Sequence, residues 1–377
     1  MSRKRRGRRE GSVFQRESDG LWIASISLGY NSAGKRQRRT VSGATKTEAL
    51  EKMRALVNSG AVPLGEIDKL PLGEYLDRWL DQVKEKLSPT THHRYGQHVR
   101  LHIKPHVGHV LLRKLEPYHI ERLYREMENA GDSAAERQKT GKALSTALRA
   151  AVRSKLIPHN PCLDVTKPRV TKEEIRPLDG SQAKSLVAAT REDRLHALYV
   201  LALDSGMRQG ELFGLHWPDV DFTAGCVQVR RSLEEIAGHH RLKELKTKAS
   251  RRRIELSPFA LDALHEHRKR MLAEGRDVKD GAVFTDGDGG FLRKSNFARR
   301  CFKPALRKAG LATETRFHDL RHTCATLLLM ADVNVKVVSE RLGHGGIEIT
   351  LNTYSHVLPT MQKKAAEKLG ALWAAEA

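Results

Sequence analysis

The stretch "RFHDLRHTCATLLLMA", residues 316–331, limits this chain's fold more tightly than any other. From Ala325 to Ala331 it reads as a buried helix, yet His318, Asp319, Arg321 and His322 crowd the start of the same element. Ionised groups taken out of water each cost several kcal/mol unless they are paired and hydrogen-bonded. The fold must therefore supply partners for this helix end, or the end must face a charged ligand. His318 and Arg321 are three apart and share a helical face.

Two further stretches interrupt apolar context in the same way. In "LALDSGMRQGELFGLHW", Gly206 stops an apolar helix and Arg208 stands where the next begins, with Glu211 one turn on and able to hold the guanidinium. Free N–H groups and positive charge meeting at a helix start make a phosphate seat; an arginine with a local glutamate is also an ordinary helix start. "KVVSERLGHGG" reads as a helix ending at Gly343, leaving His344 at a turn, and "IEITLNTYSHV" puts Ile347, Thr350, Leu351 and Tyr354 on one stripe. Taken singly, each has a structural account: a satisfied core histidine, a capping arginine, a core tyrosine with its hydroxyl bonded.

The bulk charge favours the ligand account. Lys plus Arg number 67 against 45 Asp plus Glu, a formal net charge of +22. Such a balance favours a polyanion, since each neutralised phosphate releases condensed counterions. No apolar run approaches the roughly 18 residues needed to span a bilayer, and the charged start "MSRKRRGRRE" has no apolar region behind it, so it does not read as a secretory signal. Cys162, Cys226, Cys301 and Cys324 are scattered, without a C-x-x-C pair, and read as reduced cytosolic thiols.

At 377 residues the chain is too long for one ordinary core, and three segments separate by pattern. Residues 1–65 hold a basic arm, strand-like alternation in "LWIASISLGY" and "KRQRRTVSG" about an "NSAG" turn, and a helix over "TKTEALEKMRALVNSG". This predicts a small three-stranded sheet against one helix, carrying Lys35, Arg36, Arg38 and Arg39 as either a DNA-binding or a merely solvated basic face. Residues 66–168 read as helical: "PLGEYLDRWLDQV" with Leu72, Leu76, Trp79, Leu80 and Val83 on one face, "LSPTTHHRYGQHVRLHI" opening with Ser88 as cap and Pro89 first in the helix, then "PYHIERLYREMENAG" and "GKALSTALRAAVRSKLI". "HNPCLDVTKPRVTKEEIRP" reads as a linker. Residues 169–377 mix helices and short strands: a capping box at Asp179 and Gln182, strands in "GCVQVRRSL" and "SRRRIELS" joined by a long polar stretch, and helices at 258–273, 294–309 and 318–331. A tail, "MQKKAAEKLGALWAAEA", stripes Met361, Ala365, Leu369 and Leu372 on one helix face. The fold class is thus multidomain, mainly α with α+β parts.

Arg208-x-x-Glu211, then His318-Asp-Leu-Arg321-His, then Leu-Gly-His344 with Tyr354 ten residues later, resembles the signature of the tyrosine recombinase (phage integrase) family. "HIKPHVGHVLLRKLEPYHIERL" and "ALSTALRAAVRSKLIPHNPCLDV" resemble its helical core-binding domain, and "GLWIASISLGYNSAGKRQRRTVSGATKTEAL" the arm-site-binding domain of its phage and integrative-element members. The resemblance implies site-specific recombination of double-stranded DNA at core and arm sites, through a covalent 3′-phosphotyrosyl intermediate. It implies Tyr354 as nucleophile, Arg208 and Arg321 as phosphate clamps, His318 as acid/base partner, His344 as hydrogen-bond donor and Glu211 as support. Lys246, in the K-T-x-x-S arrangement before a strand, is implied as the acid for the leaving 5′-oxygen, with Lys243 and Lys248 close by. No metal or cofactor is expected. A homotetramer in the bacterial cytosol is expected, with a host DNA-bending protein and an excisionase as further partners and the tail packed on a neighbouring protomer. Two other readings are a type IB topoisomerase-like relaxase and a catalytically silent DNA-binding regulator.

Overall fold

The computed structural model of the chain describes residues 12–30, 36–58, 69–171, 176–245 and 250–354, with 366–367, 369–370 and 373 of the tail. Lys35, Lys246, Lys248, Met361, Ala365 and Leu372 lie outside the described residues. The chain forms two compact units, 1–172 and 173–377.

In the first unit, β1 (Ser12–Gln15), β2 (Trp22–Tyr30) and β3 (Arg36–Gly43) make an antiparallel sheet in chain order. α1 (Lys46–Asn58) follows, and Ile23, Ala24 and Ala49 are buried. Arg36, Arg38 and Arg39 lie on β3, paired in register with Tyr30, Ser27 and Ile26.

The helical part comprises α2 (Leu72–Val83), α3 (Pro89–His98), α4 (Pro117–Asn129) and α5 (Ala134–Arg153). α3 runs on through a wide π turn, Val99–Ile103, into Lys104–Val107. The apolar face of α2 is buried at Leu72, Tyr75, Leu76 and Trp79, against Ile103, Leu123 and Leu144 in one cluster. Ser88 caps α3 by accepting from the Thr91 N–H at 3.2 Å, with Pro89 in the first turn. α5 starts seven residues before the expected Gly141, because Ser133 caps it through the Glu136 N–H at 3.2 Å. The expected linker is partly structured: Pro161–Leu163 forms a 3₁₀ turn held by Asn160 to Ser145, and Cys162 and Val165 join the core. Short apolar residues among prolines and charges gave the sequence no periodicity from which to read that packing.

The second unit starts with α6 (Gly180–Ala189), whose Asp179–Gln182 capping box is formed, then α7 (His196–Ser205) and α8 (Gln209–Phe213). β4 (Val220–Asp221), β5 (Cys226–Val229) and β8 (Arg252–Glu255) make one antiparallel sheet. β6 (Arg231–Ile236) and β7 (His239–Glu244) pair as a hairpin, so the expected single strand "GCVQVRRSL" breaks at Arg230. The long polar stretch is half of this hairpin, and polar on both faces of β7, which hides its period. Then come α9 (Pro258–Ala273), α10 (Lys294–Phe297, running on through a π turn, Ala298–Phe302, into Lys303–Lys308), α11 (Asp319–Met330), α12 (Val335–Leu342) and α13 (Ile347–Thr353). Two apolar clusters hold the unit. The larger includes Phe213, Phe297, Phe302 and Phe317; the smaller joins Ala325 and Leu329 of α11 to Val338, Leu342 and Tyr354.

Candidate functional site

The larger cluster sets the base of the site. Phe317 stands edge-on to Phe297 and Phe302, with ring centroids 4.9 and 5.3 Å apart, which fixes the residue before His318. α11 starts there. Asp319, buried, accepts from the Arg316 N–H at 2.8 Å and from its guanidinium at 3.0 Å. It supports the helix end, and Thr323 ties the first turn to Leu178 at 2.9 Å.

Gly206 ends α7 in the left-handed region, φ 63°. Two residues later Arg208 caps α8: its N–H donates to Glu211 Oε2 at 2.9 Å, its guanidinium to Glu211 Oε1 at 2.9 Å and to the Gly343 carbonyl at 2.9 Å. Gly343 ends α12, also left-handed at φ 68°. Arg321 reaches the other way, donating to the Gly206 carbonyl at 2.8 Å. Each arginine is thus held by the glycine that closes a neighbouring helix.

Glu211 is 2% exposed, and Arg252 of β8 donates to both its oxygens, at 2.9 and 3.3 Å. Burial opposes its charge, but Arg252 and Arg208 outweigh it and hold the carboxyl below its ordinary value. Arg252 also donates to the Arg341 carbonyl at 2.6 Å, and Arg341 to the Asp204 and Glu255 carbonyls, both at 2.9 Å. Arg252 was missed in the sequence. The signal was its parity with Ile254, two residues on, which puts both on the inner face of β8.

Arg321 is 3% exposed, and burial first, then the charge of Arg208, bring it down to about 10. Two guanidiniums disfavouring one another, Arg321 buried and Arg208 partly exposed, make a place for an anion. His318 keeps an exposed edge; burial of its other side and the Arg321 charge hold it below its usual value. His344 accepts or donates at Nδ1 with Thr350 Oγ1 at 2.8 Å and is lowered to about 4 by burial and by Arg321 and Arg208.

Tyr354 follows α13 and is 1% exposed; burial raises its hydroxyl to about 12 against the pull of Arg321. The hydroxyl is 3.0 Å from Nδ1 of His322, itself lowered to about 4 chiefly by burial. The sequence left His322 without a partner, since nothing local predicts a contact 32 residues away. Of the expected stripe, Thr350 and Tyr354 are buried, whereas Ile347 and Leu351 are 38% and 37% exposed. Lys243, on β7, pairs with Glu234 at 2.9 Å. Beside the sheet lies a cavity of about 710 Å³ lined by Arg230, Arg231, Arg251, Arg252 and Arg253. No described helix is long and apolar enough to cross a membrane.

The phage integrase family profile matches residues 176–361, and its N-terminal SAM-like domain profile matches residues 72–127. A XerC-like tyrosine recombinase of Caldanaerobacter subterraneus subsp. tengcongensis is 31% identical, over 93% of this chain and 95% of its own. The ICEBs1 integrase of Bacillus subtilis is 25% identical over 93% and 97%. Among solved structures, the Tn1549 transposon integrase bound to circular intermediate DNA aligns with a TM-score of 0.65 at 20% identity, covering 78% of this chain and 99% of that one. A lambda integrase dimer bound to a core site aligns at 0.58 and 18%, covering 90% and 93%. The chain belongs to the phage integrase family of tyrosine recombinases, enzymes that cut and rejoin DNA.

Proposed function

We propose that the chain cuts one DNA strand at a specific site through Tyr354 and passes it to a second duplex, integrating and excising a phage or mobile element. The observation carrying this reading is Arg321, buried to 3% exposure, with the Arg208 charge acting on it and Tyr354 joined to the same helix through His322. A scissile phosphate set against the two guanidiniums would relieve their mutual repulsion and receive the tyrosine. In the step, the Tyr354 oxygen forms a bond to phosphorus as its proton passes to His318, the acid/base partner, and the bond to the 5′-oxygen breaks. The departing oxygen takes a proton from Lys246, and the phosphate stays on the enzyme as a 3′-phosphotyrosyl ester. Attack by the partner strand's 5′-hydroxyl reverses the bond changes and releases Tyr354. His318 acts as the acid/base partner of the nucleophile, His344 hydrogen-bonds the phosphate or the tyrosine, and Glu211 with Arg252 keeps Arg208 in place.

The three-stranded sheet with α1 serves arm sites through Lys35, Arg36, Arg38 and Arg39, and the helical part grips the core site. Residues 1–65, 66–168 and 169–377 are the corresponding domains. Four copies assemble on DNA in the cytoplasm, with the tail crossing to a neighbour and with a DNA-bending protein and an excisionase setting direction. A nicked suicide substrate should trap a covalent complex with the native chain, and Tyr354→Phe should bind the same DNA without trapping it. A Phe variant that still forms the adduct rejects the assignment. Deleting residues 1–65 should spare core-site cleavage and impair integration; equal integration rejects the arm-site role. Relaxation of supercoiled plasmids lacking any attachment site would instead favour the topoisomerase reading.

A further inference from the structure

Away from the recombinase site, the helical part gathers a second group of ligand-type side chains. His98 ends the regular portion of α3, His102 lies in the π turn that follows, and Glu136 stands in the first turn of α5. One donor atom from each of the three lies within 4.8 Å of the others. We propose that His98, His102 and Glu136 form a divalent transition-metal site of the zinc type that clips α3 to the start of α5.

Four observations support it. Nδ1 of His98 is 3.4 Å from Glu136 Oε1, close to the edge of a tetrahedron with arms of about 2.1 Å. Asp132 Oδ2 is 3.3 Å from Nδ1 of His102, the arrangement in which a carboxylate orients an imidazole for its metal. The His98 side chain is only 10% exposed, so one ligand is already fixed by packing, while those of His102 and Glu136 are 18% and 35% exposed and have room to close in. Finally, wide π turns are rare and concentrate at functional sites; here one carries His102. Two imidazoles with one carboxylate suit zinc, cobalt or nickel rather than calcium or magnesium, which prefer oxygen donors. Two neighbours compete for the same atoms. Thr140 Oγ1 is 3.0 Å from His98 Nδ1, and the Lys139 ammonium, largely exposed, is 3.4 Å from Glu136 Oε2. Binding requires Lys139 to swing into solvent.

The inference is independent of the strand-transfer chemistry, and its test reads metal, not recombination. The full chain, stripped with a chelator, is titrated with Co²⁺ and followed by its visible ligand-field absorption, then challenged with Zn²⁺. One Co²⁺ per chain with a tetrahedral or five-coordinate spectrum is expected, displaced by Zn²⁺. His102→Ala and Glu136→Gln should abolish that equivalent, and Asp132→Asn should weaken it by about 10- to 100-fold. Glu136→Gln preserves shape, and circular dichroism confirms that each variant is helical, so loss of the site is separable from loss of the fold. Uptake that is absent, or equal in the native chain and both ligand variants, overturns the proposal.

Discussion

Glu211 is the residue on which most of the site depends. It is 2% exposed, it is shared by Arg208 and Arg252, and its backbone lies in the helix that Arg208 caps. Removing one partner of a buried ion pair typically costs about 3–5 kcal/mol, because the other charge is left without compensation. Glu211→Gln should therefore lower the stability of the second unit by an amount of that order in a urea melt. Cleavage should fall with it, since Arg208 loses its brace; a melt within about 0.5 kcal/mol of the native chain contradicts the shared-carboxylate account. Arg321 offers a complementary test. Lysine keeps the charge but loses the planar fork, so Arg321→Lys should bind DNA normally and form the covalent complex about 100-fold more slowly, the size of effect seen when one oxyanion donor is lost. Arg208, His318, Arg321, His344 and Tyr354 were legible in the sequence together, through the order and spacing that resemble the family signature, since each alone has an ordinary structural account. His322 and Arg252 were not, since their partners lie 32 and 41 residues away.

Among the elements, the end of α7 is the tightest junction. A Cβ on Gly206 would stand 2.6 Å from Leu342 Cδ2 and 3.2 Å from Cys324 Sγ, at a backbone φ of 63° that disfavours any side chain. Gly206→Ala should cost more than about 1 kcal/mol. By displacing the carbonyl that receives Arg321, it should also slow cleavage beyond what the stability loss explains. Matched melting and single-turnover assays separate the two effects. The helices themselves were readable where a cap or a glycine marked them: Ser88, the Asp179–Gln182 box, Gly206 and Gly343 stand at the ends they announce. The β6–β7 hairpin was not readable, because its second strand exposes most of both faces and so has no apolar alternation to detect. The 3₁₀ turn at Pro161–Leu163 was hidden for the opposite reason: three residues are too few to show a period.

For the whole molecule, charge and protons dominate. A net charge of +22 predicts DNA affinity that falls steeply with salt, log K decreasing linearly with log salt concentration; a flat response in a filter-binding titration rejects a phosphate-dominated interface. Burial holds His267, His322 and His344 at about 4, whereas unfolded histidines titrate near 6.5. Between those values the unfolded chain binds more protons, so stability is complete above about pH 6.5 and is lost as the pH falls toward 4. For the fully buried His267 the slope approaches about 1.4 kcal/mol per pH unit. Urea melts across that window should show the decline, and melts that are level from pH 7 to 4 contradict it. The sharing of Glu211 has one more consequence, in electroneutrality. Among the described residues Arg208, Arg252 and Arg321 set three positive charges against the single Glu211 carboxylate, and burial keeps His322 and His344 neutral near pH 7; the proposed Lys246 donor adds to that excess of two. A phosphodiester brings one negative charge, while its adduct with a phenolate brings two. In the proposed chemistry the guanidiniums meet more negative charge at the reacting state than at the bound substrate, and that difference is the energy a catalyst can use.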